Sequence, residues 1–403
     1  MVRRRAVVAA VLALFVLAPS AHALPDCPDM PQQRTILTGQ GQLESIIADA
    51  RGRLFYSDLQ NGGRLLRVER PDANPKVLIQ GVDGSGGLAW EPDGSLVFGF
   101  NGGNDNATVD GPDGGLLRVN PETGKYTVLA SGMGMANGVV RGPDGAIYAS
   151  NDFAGGIDKV VGGKVQDDWA KTVTPNGLVI DTAGRYLYAA QTFKPASIAR
   201  IDLRDPAREE PYYEAPPADA AGGPDGMTRD ERNRLFVAVN ATGEVWRVDT
   251  DRSACVVARG IGNASAVNWG GGGPGFPARN LYVVGFSGVL VELANATDAP
   301  PPAGPPAAAA VETPRLRVSV TPKRSPRRRR TLFSFRVSDA GHGGTTVRGA
   351  TVRFAGRKLT TDAGGRATVR VRFFHAGVKK VRASQTGYRV GKTTVRITSS
   401  PKG

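Results

Sequence analysis

The chain has 403 residues, of which 53 are glycine and 28 are proline, and it carries 51 Lys and Arg against 37 Asp and Glu. It is too long for one ordinary domain, and a Gly plus Pro content of about a fifth indicates many turns without reaching the level of a disordered or collagen-like chain. Two cysteines exclude a four-cysteine zinc site and a fold held by several disulfides. The three histidines are His22, His342 and His375, so chemistry between the first two has to proceed without imidazole.

The first 23 residues are typical of an export signal. MVRRR is a positively charged start, AVVAAVLALFVLA is shorter than the about 20 apolar residues that span a bilayer, and Ala21-His22-Ala23 is a small-x-small cleavage site. We therefore expect a secreted or cell-envelope-associated bacterial protein, with no transmembrane segment after cleavage. Outside the cytoplasm a disulfide between Cys27 and Cys255 is chemically allowed, and two free thiols are the alternative.

A short β-like segment recurs six times through the middle of the chain. The copies are GRLFYSD at 52, GSLVFGF at 94, GAIYASN at 145, GRYLYAA at 184, NRLFVAV at 233 and RNLYVVG at 279, at intervals of 40 to 51 residues. Each copy precedes a second alternating apolar segment, and the interval is about the length of one four-stranded propeller blade. We therefore predict an all-β fold with a six-bladed β-propeller over residues 34–295.

A Pro- and Ala-rich linker follows at 296–314, and its prolines favour an extended spacer without a core of its own. Residues 315–403 return to alternating apolar and polar positions, which predicts a small antiparallel β-sandwich. Within it, GATVRFAGRKLTTDAGGRATVRVRF resembles bacterial Ig-like and carboxypeptidase-regulatory-like modules, in which a TDAxG turn joins two strands. The prediction for this region is a basic Ig-like β-sandwich.

Alignment of the six copies locates a candidate central site, because the inner strand of every propeller blade faces a common axis. We take one apolar residue of each copy as its anchor, which in four of the blades is Leu54, Ile147, Leu187 and Leu235. The position about ten residues before these anchors is polar, where it is Glu44, Asn137, Asn176 and Asp225 respectively. Turn chemistry is one explanation for the Asn-Gly and Asp-Gly pairs, but Glu44 is not a turn residue. Two carboxylates and two amides directed at one axis need a cation between them. An all-oxygen set favours a hard divalent ion, Ca²⁺ before Mg²⁺.

Three segments at blade spacing resemble signature blades of the senescence-marker-protein/gluconolactonase/luciferin-regenerating-enzyme family. They are MANGVVRGPDGAIYASN from 135, TPNGLVIDTAGRYLYAAQT from 174 and GPDGMTRDERNRLFVAVN from 223, and ASAVNWGGGG from 264 resembles the closing-blade motif. The resemblance covers roughly residues 36–295. It implies one divalent cation held by Glu44, Asn176 and Asp225, with Ca²⁺ favoured and Mg²⁺, Mn²⁺ and Zn²⁺ as alternatives. It also implies that Asn137 contacts the substrate.

Two departures from the family pattern bear on the substrate. Relatives usually read Glu-Gly-Pro at the first ligand, whereas Glu44 is followed by Ser45 and Ile46. Sugar-lactonase relatives often carry an Arg two residues before the substrate Asn, and that position is Met135. Loss of the guanidinium removes donors for hydroxyl or carboxylate groups. Cation binding is therefore expected to survive better than specificity for gluconolactone.

The mechanism that the resemblance implies is metal-assisted hydrolysis of a lactone or related carboxylic ester. Asp225 would be metal ligand and general base, and Asn137 would donate to a substrate oxygen. A secreted propeller that binds a ligand or an envelope partner without turnover stays open, because fold does not fix function. A strictosidine-synthase-like enzyme is a further alternative, although no blade motif supplies the catalytic Glu that its chemistry would need.

The formal charge of +14 is unevenly distributed. Residues 315–403 hold 23 Lys and Arg and only Asp339 and Asp362, a net of +21, whereas residues 1–314 hold 28 basic and 35 acidic residues, a net of −7. Export, and the lack of an aromatic stacking motif beside the run Arg327–Arg330, argue against nucleic acid as a partner. A solvated sandwich face is one explanation. The hypothesis that we favour is attachment of residues 315–403 to polyanions of the cell envelope.

Overall fold

The computed structural model of the chain describes residues 24–60, 62–102, 111–193, 195–301, 315–340, 346–385 and 388–399. The predicted signal peptide at 1–23 and most of the predicted linker lie outside these residues. The described residues belong to two compact units, 24–301 and 315–399. In the part of the chain that the structure describes, no helix is long and apolar enough to cross a membrane.

The first unit is a ring of six four-stranded antiparallel sheets, which confirms the predicted six-bladed propeller. Both segments of every sequence repeat are strands, the second and third of their blade. One short 3-10 helix, Pro217–Asp219, interrupts the strands. In chain order the strands are β1 (Gln32–Leu37), β2 (Leu43–Ala48), β3 (Leu54–Asp58), β4 (Arg64–Val68), β5 (Lys76–Gln80), β6 (Ser85–Trp90), β7 (Leu96–Phe100), β8 (Gly114–Val119), β9 (Tyr126–Met133), β10 (Val139–Arg141), β11 (Ile147–Ser150), β12 (Ile157–Val161), β13 (Lys164–Ala170), β14 (Pro175–Ile180), β15 (Tyr186–Gln191), β16 (Ser197–Asp202), β17 (Asp205–Glu214), β18 (Pro224–Arg229), β19 (Leu235–Val239), β20 (Glu244–Val248), β21 (Ala254–Ala258), β22 (Ala264–Trp269), β23 (Leu281–Gly285) and β24 (Val289–Ala294).

The ring is closed by its own N-terminal strand. The first strand of each of five blades and β22 of the sixth, that is β2, β6, β10, β14, β18 and β22, are innermost and contact one another around the axis. β1 pairs with β24 as the outermost strand of the last blade, and Arg34 Nη2 donates to Glu292 Oε2 across this pair at 2.7 Å. Because the two ends of the ring share one sheet, this pairing holds the last blade to the first. The ring thus takes in Gln32, two residues before the predicted start.

The hydrophobic core lies between neighbouring blades. The second strands are buried on both faces, so every residue of strands such as LFYSD and LFVAV is buried. Aromatic pairs connect adjacent sheets: Phe55 meets Trp90 with ring centroids 5.3 Å apart, and Phe236 meets Trp269 at 4.9 Å. The tryptophans of these pairs therefore contribute to packing between blades, where edge-to-face aromatic contacts are favourable.

The second unit is a two-sheet β-sandwich, which confirms the predicted separate β domain. Its strands are β25 (Leu316–Thr321), β26 (Arg324–Pro326), β27 (Arg330–Asp339), β28 (Thr351–Phe354), β29 (Arg357–Thr360), β30 (Arg366–Arg372), β31 (Gly377–Ser384) and β32 (Gly391–Thr398). One sheet has the order β25-β27-β30 and the other β26-β32-β31-β28-β29. Phe333, Phe335, Phe354, Val381 and Val395 fill the space between the two sheets. The closer likeness to Ig-like modules remains a prediction.

A disulfide between Cys27 and Cys255 fastens the start of the described chain to β21. Val256 N donates to Pro25 O and Cys27 N donates to Val256 O, both at 2.9 Å, so residues 25–27 run parallel to the outer edge of this blade. Of the two states that the sequence allowed for these cysteines, the structure contains the bonded one, with Cα atoms 5.0 Å apart.

We expect the paired substitution Cys27→Ser/Cys255→Ser to lower the free energy of unfolding by about 2–4 kcal/mol. The bond joins residues 228 positions apart and therefore restricts the unfolded chain strongly. Chemical denaturation of the oxidised protein and of the variant measures the difference, and reduced wild-type protein should match the variant. Equal stability of the oxidised protein and the variant would show that the bond does not contribute.

Candidate active site

A repeated β-bulge lies at the start of the inner strands and redirects the predicted site residues. In β2 the irregular step contains Glu44, in β14 it contains Asn176, and in β18 it contains Asp225. Asn137 lies two residues before β10 in the corresponding position. A bulge leaves one residue without a strand partner and changes the direction of its side chain. The polar residues of β14 and β18 thus belong to bulged strands and not to hairpin turns, as turn chemistry would have required.

The glycine that follows each of Asn137, Asn176 and Asp225 permits a close approach between neighbouring blades. A Cβ atom on Gly138 would lie 2.1 Å from the carbonyl oxygen of Asn176, and one on Gly177 would lie 2.5 Å from that of Asp225. No side chain fits at these distances, so glycine is required where one inner strand meets the next. The Asn-Gly and Asp-Gly pairs combine a side chain of the site with this packing requirement.

The structure brings the four predicted residues to one cavity of about 630 Å³ at one end of the ring axis. Glu44, Asn137, Asn176 and Asp225 are all buried, each with 4 to 7% of its surface exposed. Gly86 and Ser265, the equivalents in the other two blades, lie on β6 and β22 and do not line this cavity. The predicted polar side chains in the cavity therefore come from β2, β14 and β18 and from the segment just before β10.

A fifth residue, Asp152, belongs to the same cluster and was not predicted. It follows β11, in the loop between the second and third strands of its blade, and only 4% of it is exposed. Its Oδ2 accepts a hydrogen bond from Asn176 Nδ2 at 3.4 Å, and the side chain of Asn137 also donates to Asp152. Its buried Oδ1 has no hydrogen-bond partner. The cluster therefore contains three carboxylates where the sequence alignment found two.

A recurring feature of the sequence could have located Asp152. Asn101 follows β7 and Asn240 follows β19, in the loops that correspond to the one holding Asp152, and both line the same cavity. Asn240 Nδ2 donates to Asp225 Oδ2 at 3.2 Å. Polar residues five positions after the start of the second strand of a blade thus form an outer layer around the axial residues. This layer does not belong to the inner strands, so the positions aligned along those strands do not include it.

Burial raises the pKa of all three carboxyl groups, and repulsion between them raises the pKa of Glu44 and Asp225 further. Burial is the main cause at Glu44, and the nearby Asp152 raises its pKa further, against a hydrogen bond from Asn137 that lowers it. Burial again raises the pKa of Asp225 well above its usual value, followed by repulsion from Glu44 and Asp152. Burial raises the pKa of Asp152 to about 7. No Lys, Arg or His is found among the described residues that line the cavity.

Apolar side chains form the rest of the cavity wall. Phe153 and Phe193 lie with ring centroids 5.3 Å apart and are 53% and 60% exposed. Met135, Leu59 and Phe286 line the same cavity. Large apolar side chains exposed beside a polar cluster are typical of a binding cleft with a few oriented polar groups. The cavity can therefore accommodate a ligand with one polar and one apolar part.

Solved structures share the propeller at low sequence identity. A gluconolactonase from Xanthomonas campestris is 21% identical, with a TM-score of 0.53 over 69% of this chain and 99% of the other. The calcium-binding protein regucalcin from Agrobacterium tumefaciens is 19% identical, with a TM-score of 0.51 over 68% and 97% of the two chains. A luciferin-regenerating enzyme is 14% identical, with a TM-score of 0.53 over 68% and 99%. At such identities the likeness shows the fold alone.

Sequence comparison adds a match within the ring. Among curated protein sequences none is significantly similar to this chain. Residues 150–284 match the sequence family described as the SMP-30/Gluconolactonase/LRE-like region. The matched range contains Asp152, Asn176 and Asp225, the repeat copies that begin at 184 and 233, and all but the last residue of the copy that begins at 279. The family resemblance read from the signature blades is thereby confirmed over residues 150–284, and the fold is the six-bladed propeller that the solved structures share.

Proposed function

We propose that the propeller is a divalent-cation-dependent hydrolase of lactones or related carboxylic esters. The observation that carries this proposal is the convergence of Glu44, Asp152 and Asp225 on one buried cavity with no basic side chain among its described lining residues. Buried carboxylates without a counter-charge are strongly unfavourable unless they are protonated or bind a cation. A bound cation is therefore the simplest reason for such a cluster.

The donor set fits a hard cation. Within the described ranges no three His, Cys, Asp or Glu side chains stand close enough together to hold a metal ion by themselves, so amide oxygens have to complete the set. Glu44, Asn176 and Asp225 would hold the cation, and the buried Oδ1 of Asp152 is available beside them. Oxygen donors favour Ca²⁺ over metals that prefer nitrogen or sulfur. The calcium-binding character of the Agrobacterium regucalcin supports the same choice over Mg²⁺, Mn²⁺ and Zn²⁺.

The hydrogen bonds of the cluster support the catalytic roles that we propose. When bound, a divalent cation polarises a carbonyl group and lowers the pKa of water. Asp225 would accept the proton of the attacking water, and Asn240 orients this carboxylate through the bond to its Oδ2. Asn137 donates to Glu44 and Asp152 in the structure, so one of its N–H groups has to turn to the substrate oxygen for the proposed contact.

The cavity wall favours substrates with an apolar part. The position two residues before Asn137 is Met135, which is buried and offers no donor to hydroxyl groups. Phe153 and Phe193 add exposed aromatic surface at the same cavity. We therefore propose lactones or esters with an aliphatic or aromatic substituent rather than hydroxyl-rich sugar lactones, as the loss of the family Arg already suggested.

We further propose that the protein is exported and that cleavage after Ala23 leaves Leu24 as the first residue. Leu24 is buried, and its backbone nitrogen donates to Oδ2 of the buried Asp219 at 3.0 Å. After cleavage this nitrogen is an α-ammonium group, and a charge-assisted bond to a carboxylate is stronger than a bond from an amide. The disulfide at Cys27 supports the same compartment, because disulfides persist outside the cytoplasm.

We expect lactonase activity to require the cation. Glu44→Ala and Asp225→Ala should each lower kcat/KM on an apolar lactone by about 100-fold or more and weaken Ca²⁺ binding in calorimetry. The matched control is Asp83→Ala, since Asp83 lines the same cavity but is exposed; it should keep both properties. Hydrolysis on a lactone and ester panel should stop with EDTA and return with Ca²⁺.

Other outcomes of the same assay separate the alternatives. Activity that EDTA leaves intact, or that persists in Glu44→Ala, would contradict the cation-dependent mechanism. Ca²⁺ binding without turnover of any lactone or ester would favour a propeller that binds a ligand without catalysis. A strictosidine-synthase-like condensation would show as product formation from an amine and an aldehyde, with no hydrolysis.

The cation-free protein should lose stability as pH rises. A carboxyl group with a raised pKa keeps its proton in the folded state after the unfolded chain has lost it, so stability is greatest below the unfolded pKa of about 4 and falls as pH rises through the folded pKa. The shifts at Glu44 and Asp152 put this fall between about pH 4 and pH 8, and the raised pKa of Asp225 contributes in the same direction. In EDTA, the unfolding free energy of Glu44→Gln should decrease less over this pH range than that of the wild type, by on the order of a few kcal/mol. A pH profile identical to that of the wild type would refute the assigned shifts.

Mass spectrometry of protein exported from a bacterial host should give a chain that begins at Leu24. Asp219→Asn should then lower the unfolding free energy by about 1–3 kcal/mol, because a buried ammonium loses its counter-charge. The control is protein with one additional residue before Leu24, in which the same substitution should have a smaller effect, since an amide N–H bonds equally well to Asn. A different first residue, or equal effects in both proteins, would contradict the proposed terminus.

A further inference from the structure

The outer face of the five-stranded sheet in the second unit carries a row of four cations. Arg353 of β28 lies opposite Lys358 of β29 on one side and Arg382 of β31 on the other, and Arg382 lies opposite Lys392 of β32. All four side chains are exposed. We call these four residues the cation row. It crosses four neighbouring strands with one positive charge on each.

The rest of this face is also basic. Arg396 of β32 lies opposite Arg324 of β26, and Lys380 of β31 is exposed on the same face as Arg382. A shallow depression of about 250 Å³ lies among residues that include Arg353, Lys380 and Arg382. The strands of the sheet contain no Asp or Glu, because Asp339 belongs to β27 of the other sheet and Asp362 to a turn. The sheet thus holds seven cations on one face without an acidic residue in its strands.

The fold does not require this arrangement. A sandwich needs apolar residues on the inner face and polar ones on the outer face, and uncharged Thr meets that need at Thr394, opposite Lys380. Like charges directly opposite each other on neighbouring strands are destabilising. Adjacent strands are about 4.8 Å apart, so each member of the cation row lies close to the next. An anionic ligand that lies across the strands would turn this repulsion into favourable contacts.

We propose that the cation row binds a linear polymer of phosphate groups from the cell envelope, and that the second unit attaches the protein to it. This inference is independent of the hydrolase function. A row across four strands extends about 14 Å, which exceeds a single small anion and suits successive charges along one chain. Arg matches phosphate with a fork of parallel donors, and Lys adds point charges.

The composition of the face favours this polymer over nucleic acid and over a lipid surface. The exposed outer residues of these strands include no aromatic side chain on which nucleic acid bases could stack. Val378 is the single exposed large apolar residue in the described strands of the sheet, so little of this face would enter a lipid layer. The face can therefore bind a ligand by charge, but not by stacking of bases or by insertion into a lipid layer.

The test uses the full chain and long-chain inorganic polyphosphate as the probe. Arg353→Gln/Arg382→Gln/Lys392→Gln should weaken binding at moderate salt by about tenfold or more, because three contacts to the polymer are lost. The matched control is Arg317→Gln/Arg336→Gln/Arg366→Gln on the three-stranded sheet, where the same number of exposed cations is removed and Arg336 lies opposite Arg366. We expect the control to weaken binding by less than about threefold.

Three further measurements decide the result. Thermal unfolding of the first triple variant should match or exceed that of the wild type, because repulsion between strands is relieved, so a loss of binding does not reflect misfolding. Equal weakening by both triple variants would overturn the proposal in favour of diffuse charge attraction. Binding of orthophosphate as tight as that of the polymer would overturn it as well. The proposal would also be overturned if the protein bound single-stranded DNA or phosphatidylglycerol vesicles more tightly than polyphosphate and the first triple variant did not weaken that binding.

Discussion

The close approach of the six inner strands is the constraint on which the ring and its site depend. At Gly138 and Gly177 the next blade comes so near that a single methyl group would overlap a backbone oxygen. Within this tightly packed ring, the bulges of β2, β14 and β18 direct Glu44, Asn176 and Asp225 to the cavity at one end of the axis. The geometry that closes the propeller therefore also concentrates carboxylate and amide groups away from water. Their raised pKa values follow from this packing, since a solvated cluster of the same residues would repel far less.

Periodicity explains what the sequence could predict. Leu54 and Leu235 mark second strands that are buried on both faces, and their recurrence at blade length was enough to count the blades and to find the four axial residues. Asp152 follows Ile147 by five residues, and the same offset from Leu96 and Leu235 gives Asn101 and Asn240, so the periodicity contains this layer although the inner-strand positions alone do not reveal it. The pairing of β1 with β24 joins residues more than 250 positions apart, and local patterns carry no information about such contacts.

The site contains both polar and apolar groups, which favour different parts of a substrate. Asp225 and its neighbours suit a strongly polar reacting group, whereas Phe153, Phe193 and Met135 provide apolar surface in the same cavity. A lactone satisfies both demands, because its ester group is compact and polar while its substituent need not be. The family resemblance alone favours sugar lactones, and it is the residues of this chain that shift the expected substrate toward an apolar one.

In residues 315–403, the net charge and the positions of the charged side chains likewise carry different information. A net of +21 over residues 315–403 could describe any basic domain, and strand alternation alone puts Arg and Lys on the outer faces of both sheets. Only the register reveals that Arg353, Arg382 and Lys392 are aligned across successive strands. On the three-stranded sheet Ser319 lies opposite Arg336, and Leu332 opposite Arg370, so the cations there are interrupted. Because uninterrupted like charges oppose the pairing of the strands that carry them, their alignment is better explained by what binds the face than by what folds it.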